Sequence, residues 1–196
     1  MISAIITCAG KGARAGFENN KLLQKIGEKT VVETTFDAFY NTGFFGEIIV
    51  TASETEVEIF KNLLPTAKIV EGGKTRFLSV KNALEKVTGD IVLVHDGARP
   101  FIDKETIKNC IDTSIKYGSA IAAVQSTDTI AKTKNNEQIS CVLGKENIYK
   151  IQTPQGFNTK KLKKAFVVLL FLLHKKYIWK QWKKAISKLL LKQALL

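Results

Sequence analysis

The sequence has no disulfide framework. Its three cysteines, Cys8, Cys110 and Cys141, are odd in number and show no C-x-x-C pairing. That usage points to a reducing compartment, the cytoplasm. Met1 runs directly into a strand-like stretch with no basic segment before it, so no signal peptide is expected. The longest apolar run near the C-terminus, Ala165–Leu173, falls far short of the roughly 20 residues that cross a bilayer. Acid is missing as well: no Asp or Glu follows Glu146. Residues 160–196 hold eleven of the 30 basic side chains and none of the 18 acidic ones, so residues 1–159 are nearly neutral. The net charge of +12 therefore belongs to the C-terminal segment. A domain that reads nucleic acid spreads its charge over a folded face, so nucleic acid is not an expected partner.

Two familiar phosphate-loop patterns are also missing. A Walker A loop needs Gly-Lys followed by Ser or Thr, and Lys11 is followed by Gly12. A dinucleotide fingerprint needs glycine three residues after Gly12, where Ala15 stands. What is present is an apolar run, Ile2–Thr7, feeding Cys8-Ala9-Gly10-Lys11-Gly12-Ala13-Arg14, with Lys21 soon after. Glycines let backbone N–H groups approach phosphate oxygens. Arg14 and Lys21 supply charge for a transferring phosphoryl group.

With 196 residues the chain fits one domain with a sizeable core. Strand-like and helix-like segments alternate. Thr30-Val31-Val32-Glu33 reads as a capping box opening a helix to about Tyr40, with Val32, Phe36, Phe39 and Tyr40 on one face. Glu47–Thr51 is a strand, Ser53–Glu56 a second capping box, and Pro65 closes the helix after it. Lys68–Glu71 reads as a strand, Arg76–Val87 as a helix and Ile91–Val94 as a buried strand. Asp103 caps a helix with the stripe Ile107, Ile111 and Ile115, and Ala120–Val124 is a further strand. This alternation predicts an α/β fold, a three-layer arrangement with a twisted, mostly parallel sheet. Thr129–Thr133 and Ile139–Leu143 around Asn135-Asn136 predict a β-hairpin within about residues 127–151, either a subunit arm or a surface hairpin.

Three marked loops follow predicted strands: Cys8–Lys21, Gly72–Ser79 and Asp96–Pro100. Ligands on such sheets bind at the carboxyl ends of strands. Asp96 reads as a magnesium ligand beside a triphosphate, since one protein carboxylate suffices, or as a loop carboxylate paired with Arg99. Gly72-Gly73-Lys74-Thr75-Arg76 with Ser79 reads as a base or ribose contact, or as a turn with a helix cap. His95 reads as a structural residue, because no second His or Cys stands near it in sequence.

These blocks resemble the 2-C-methyl-D-erythritol 4-phosphate cytidylyltransferase family of non-mevalonate isoprenoid synthesis. The matching motifs are Ala9–Arg14 with Asn20-Lys21, Glu71-Gly72-Gly73 with Arg76 and Ser79, Leu93–Pro100, and Gln152–Phe157. The resemblance covers about residues 1–166. It implies a Rossmann-related fold like that of nucleotide-diphospho-sugar transferases and a transfer of the cytidylyl group of CTP to a sugar-alcohol phosphate. It places Arg14 and Lys21 at the transition state and Asp96 beside Mg2+ and CTP. It places Cys8, Ala9, Gly10, Lys11, Gly12, Gly73, Arg76, Ser79 and Arg99 around the nucleotide. Lys145 and Thr153 would contact the acceptor, and the hairpin arm would join a homodimer. Ribitol 5-phosphate transfer and a catalytically impaired CTP-binding chain are the alternatives.

Lys74 stands where the family often has aspartate, and Lys145 where it usually has arginine, losing the bidentate fork for phosphate. Ala15 and Thr7-Cys8 also depart from its usual residues. Beyond Phe166 the family's Thr-Asp and Asn-x-Lys-x-Thr segments are missing. The chain is thus read as a domain over 1–166 and a Lys/Leu-rich tail over 167–196. Trp179 and Trp182 among lysines also allow an interfacial helix, though without a well-defined face. The hypothesis that accounts for the tail is a shifted reading frame after about Phe166. Resequencing codons 160–170 should reveal a single-base change that restores the family motifs; an unbroken frame rejects it.

Overall fold

The computed structural model describes residues 1–10, 20–135, 137–144, 146 and 148–173. Ten strands and five α-helices alternate along this part of the chain. A six-stranded sheet forms the middle layer. Its strands are β1 (Ile2–Thr7), β4 (Glu47–Ala52), β5 (Lys68–Glu71), β6 (Ile91–Asp96), β7 (Ser119–Gln125) and β10 (Tyr149–Asn158), in the order β5-β4-β1-β6-β10-β7. β1 pairs in parallel with β4 on one side and with β6 on the other. β10 runs antiparallel between β6 and β7. The predicted mostly parallel α/β sheet is therefore present, with one reversed strand.

The parallel strands are apolar on both faces because helices cover both. Ala4, Ile6, Ile48, Val50 and Leu93 meet Phe39 of α1 (Val31–Tyr40), Phe60 of α2 (Val57–Leu63) and Ile107 of α4 (Lys104–Tyr117). The alternate residues Ile5, Ile49, Val92 and Val94 meet Val80 and Leu84 of α3 (Arg76–Lys86) and Leu162 of α5 (Thr159–Leu173). A doubly covered parallel sheet leaves no alternating polar face, which is why these strands read as continuous apolar runs.

Local chemistry sets the helix starts. Thr30 accepts from the Glu33 N–H while the Glu33 carboxylate accepts from the Thr30 N–H at 2.8 Å, completing the predicted capping box of α1. Asp103 accepts from the Thr106 N–H at 2.6 Å to open α4, and Gly118 closes it in the left-handed region at φ 88°. Ser53 does not cap: a 3-10 turn over Glu54–Glu56 precedes α2, and no side-chain cap bond forms. Glu56 is instead held by Asn20 and the Ser53 hydroxyl, so the predicted second capping box is corrected. Two predicted apolar stripes end sooner than expected. Ile115 and Tyr40 are exposed, and the buried face of α4 is Ile107, Cys110, Ile111 and Ser114.

The predicted hairpin forms from β8 (Ile130–Lys134) and β9 (Gln138–Leu143), paired antiparallel, with every residue of both strands exposed. A small ladder of β2 (Lys25–Ile26) and β3 (Lys29–Thr30) just before α1 was not anticipated from sequence. On α5, Phe166 stacks on Phe77 of α3 with ring centroids 4.6 Å apart, so this side of the sheet is covered up to that point. The tail over 174–196 lies outside the described residues.

Candidate active site

The strand order reverses at β1. From β1 the chain moves to β4 and β5 on one side, then returns to β6 on the other. Such a switch point opens a crevice at the carboxyl ends of the two strands, because their loops leave in opposite directions. The register brings Thr7 opposite both Thr51 and Asp96. The first and third loops marked in the sequence therefore start side by side, and the second joins them through β5, where Glu71 pairs with Ala52.

The first loop begins at Cys8, whose N–H donates to the Thr51 carbonyl and hydroxyl oxygens, each at 3.1 Å. The Cys8 side chain is buried, and burial pushes its thiol well above the ordinary range, with the Glu56 and Asp96 charges adding to this. It is a packing group and not a nucleophile. Ala9 and Gly10 follow, and among the described residues nothing lies within 4 Å of where a Gly10 Cβ would stand. Lys11, Gly12 and Arg14 lie outside the described residues. The chain returns at Asn20, which is buried. Its carboxamide oxygen accepts from the Leu22 N–H at 3.0 Å, and its nitrogen donates to Glu56 at 3.0 Å. Asn20 thereby fixes Lys21, an exposed residue at the start of a 3-10 turn over Lys21–Leu23.

The second loop packs onto the first. A Cβ at Gly72 would drive into the Ala9 side chain, and one at Gly73 into Leu78. Gly72 N–H donates to the Ala52 carbonyl at 2.8 Å. Ser79 is buried, and its hydroxyl accepts from the Gly73 N–H at 3.0 Å and lies 3.1 Å from the Thr75 carbonyl. The turn-and-cap reading of this loop is present: Thr75 caps α3, Ser79 shapes the turn from inside, and Arg76 reaches Asp96.

The third loop carries the charge. Arg76 Nε and Nη2 donate to Asp96 Oδ1 at 3.0 and 2.9 Å. Arg99 Nε stands 3.5 Å from Asp96 Oδ2, and its Nη1 donates to the Gln152 side-chain oxygen. The Thr7 hydroxyl is 3.4 Å from Asp96 Oδ1, and the Asp96 N–H donates to the Thr153 hydroxyl at 3.3 Å. The loop-carboxylate pairing with Arg99 is present, and Arg76 doubles it. These half-exposed pairs add little stability, so their value is in position and charge. Beside them lies a groove of about 810 Å³ bounded by Arg99–Ile102, Asn109 of α4, Ala122–Val124 of β7, Gln152 and Thr153. Lys145 lies outside the described residues.

His95 is fully buried and neutral in character, its pKa lowered by burial. It stacks obliquely on Phe39, centroids 4.9 Å apart. The sequence reading of His95 as structural holds. Among the described residues no group of three or more His, Cys, Asp or Glu gathers to hold a metal. Asn20, Glu56 and Gln152 were not singled out as site residues from sequence. Asn20 and Gln152 had a signal in the Asn-Lys and Gln152–Phe157 motifs; Glu56 had none as a site residue.

A glycine-rich loop, a second glycine turn and a carboxylate between two arginines at the switch point define an α/β nucleotidyltransferase. Comparison with known proteins narrows this. The family model IspD, 2-C-methyl-D-erythritol 4-phosphate cytidylyltransferase, matches residues 2–169, and the chain belongs to that family. The enzyme of that name from Clostridium tetani is 38% identical over 164 residues, covering 80% of this chain and 67% of its own length. The one from Clostridium acetobutylicum is 38% identical over 176 residues, covering 85% and 76%. The crystal structure of 4-diphosphocytidyl-2C-methyl-D-erythritol synthase from Anaerococcus prevotii superposes with a TM-score of 0.80 at 27% identity, covering 96% of this chain and 82% of the other.

The approach of Gly97 to Cys8 gives a test of how the first and third loops fit. A Cβ at Gly97 would strike the Cys8 sulfur and press on the Thr7 carbonyl. Gly97→Ala should lower the unfolding free energy by about 1–3 kcal/mol, the cost of overpacking. Cys8→Ala in the same chain should recover most of that loss in urea titrations. Additive losses would mean that the two loops do not meet in this way.

Proposed function

We propose that this chain transfers the cytidylyl group of CTP to 2-C-methyl-D-erythritol 4-phosphate, giving the CDP-alcohol and pyrophosphate for isoprenoid synthesis. The observation that carries the reading is the meeting of the Cys8–Gly10, Gly72–Gly73 and Asp96–Arg99 loops at the β1/β6 switch point, with Asp96 between Arg76 and Arg99. The relatives bear the methylerythritol name and do not favour ribitol 5-phosphate.

A phosphate oxygen of the acceptor attacks the α-phosphorus of CTP. The new bond joins that oxygen to phosphorus, the bond to the β-phosphate oxygen breaks, and pyrophosphate leaves with the electron pair. The protein forms no covalent bond to substrate, so its work is placement and charge. By family resemblance the backbone N–H groups of Ala9–Gly12 receive the phosphates, the Cys8 N–H being held by Thr51, and the Gly73 turn receives the nucleoside. By family resemblance Arg14 and Lys21 oppose the charge growing on phosphorus. Arg76, paired with Asp96, would turn to the triphosphate, while Arg99, held by Gln152, would stay at the acceptor side. The groove beside Arg99 and Thr153 receives the acceptor, with Lys145 supplying charge.

Magnesium fits the donors present. Asp96 offers a partly exposed carboxylate at the crevice with the Thr7 hydroxyl near it, and magnesium needs only one or two carboxylates when phosphates and water complete its shell. Bound there, the ion would neutralise phosphate charge. The hairpin supports a homodimer: an arm exposed along its whole length, with Ile139 and Val142 open, makes sense when a partner covers it. The free thiols of Cys8, Cys110 and Cys141 support a cytoplasmic setting, and no described helix is long and apolar enough to cross a membrane.

Pyrophosphate release from CTP, Mg2+ and 2-C-methyl-D-erythritol 4-phosphate tests the proposal, with ribitol 5-phosphate as the competing acceptor. The methylerythritol substrate should turn over, and Asp96→Asn should lower kcat by at least about a hundredfold, in line with the loss of one electrostatic anchor. Release with ribitol 5-phosphate alone, or with neither acceptor, rejects the assignment. An Asp96→Asn variant with unchanged magnesium dependence removes Asp96 from the metal.

A further inference from the structure

His95 is the penultimate residue of β6 and is completely enclosed, yet among the described residues one of its ring nitrogens is bonded and the other is not. Nε2 lies 3.1 Å from the carbonyl oxygen of Arg99. A carbonyl only accepts, so Nε2 carries the proton in this bond. Nδ1 has no partner among the described residues, which suits a bare lone pair and not an N–H in apolar surroundings. The ring therefore sits as the Nε2–H tautomer, packed on Phe39.

That bond is one of several that tie down a four-residue turn. Arg99 N–H donates to the Asp96 carbonyl at 3.0 Å, and Gly97 N–H to the Thr7 carbonyl at 3.1 Å. The Gly97 carbonyl accepts from the buried Thr35 hydroxyl at 2.8 Å. The His95 bond is the one that fixes the last peptide of the turn, immediately before Pro100. Its far end sets the direction of the Arg99 side chain, which reaches Asp96 on one side and Gln152 at the groove on the other.

We infer that His95 is a positioning residue: through its Nε2–H bond to the Arg99 carbonyl it aims the Arg99 guanidinium between Asp96 and the groove that takes the acceptor. This rests on the function given above for the groove. The effect on turnover is indirect, through Arg99, and falls on the acceptor more than on CTP.

The test compares His95→Phe with His95→Gln. Phenylalanine keeps a ring against Phe39 and loses the donor; glutamine restores an amide N–H. His95→Phe should raise KM for the acceptor about tenfold, the scale of one lost aligning hydrogen bond, with KM for CTP within about twofold. His95→Gln should recover most of the difference. Equal losses in both variants, or a parallel rise in both KM values, overturn the positioning role and leave only core packing. Nitrogen-15 chemical shifts of the His95 ring in the folded wild-type chain give a readout independent of activity. The Nε2–H form is expected, and the Nδ1–H form overturns the inference. A wild-type chain that shows the Nε2–H form without turnover refutes the function proposed for the site and the KM effect with it, while leaving the bond itself established.

Discussion

Everything at this site depends on β1 and β6 lying side by side in parallel. Their register sets Thr7 opposite Asp96, so two loops far apart in sequence leave the sheet from one point. The pairing is held by burial on both faces, since Ala4, Ile6 and Leu93 face one helical layer while Ile5, Val92 and Val94 face the other. A slip of one residue would turn each of these side chains to the opposite layer, so the register is strongly specified. Chemistry at the strand ends thus inherits its precision from the core.

Charge gives the site its second constraint. The described crevice holds Asp96 among Arg76 and Arg99. A surplus of cations around one carboxylate suits a ligand that brings several negative charges of its own. Without such a ligand the carboxylate satisfies the arginines. Phosphates would offer a better partner to Arg76, which is half exposed on a flexible stem, and would leave Asp96 open to the metal proposed above.

Much of this was legible in the sequence, for identifiable reasons. Strands such as Ile91–Asp96 announce themselves as apolar runs that stop at a polar turn, and the Thr30–Glu33 box marks its helix unaided. β10 was harder: Lys150, Gln152, Thr153 and Gln155 give no apolar run, and the segment is a strand because β6 and β7 hold it from both sides. The Ser53 cap failed because its hydroxyl donates to the Glu56 carboxylate instead of accepting a backbone N–H, and Asn20, 36 residues away from Glu56, holds the same carboxylate. The Asp96–Arg99 pair was readable from its spacing, whereas Arg76, 20 residues from Asp96, joins it only through the order of strands in the sheet. The nucleotide contacts of Lys11 and Gly12, the catalytic role of Arg14 and the acceptor contact of Lys145 fall on residues outside those described and rest on family resemblance.

The most direct measurement is a crystal structure of the chain with CTP and Mg2+. The account predicts the triphosphate against the Ala9–Gly10 backbone, the nucleoside at the Gly72–Gly73 turn, the metal at Asp96, and Arg76 moved from Asp96 to phosphate. Nucleotide bound away from the ends of β1 and β6, or bound there with the Arg76–Asp96 pair intact and no metal at Asp96, would contradict it.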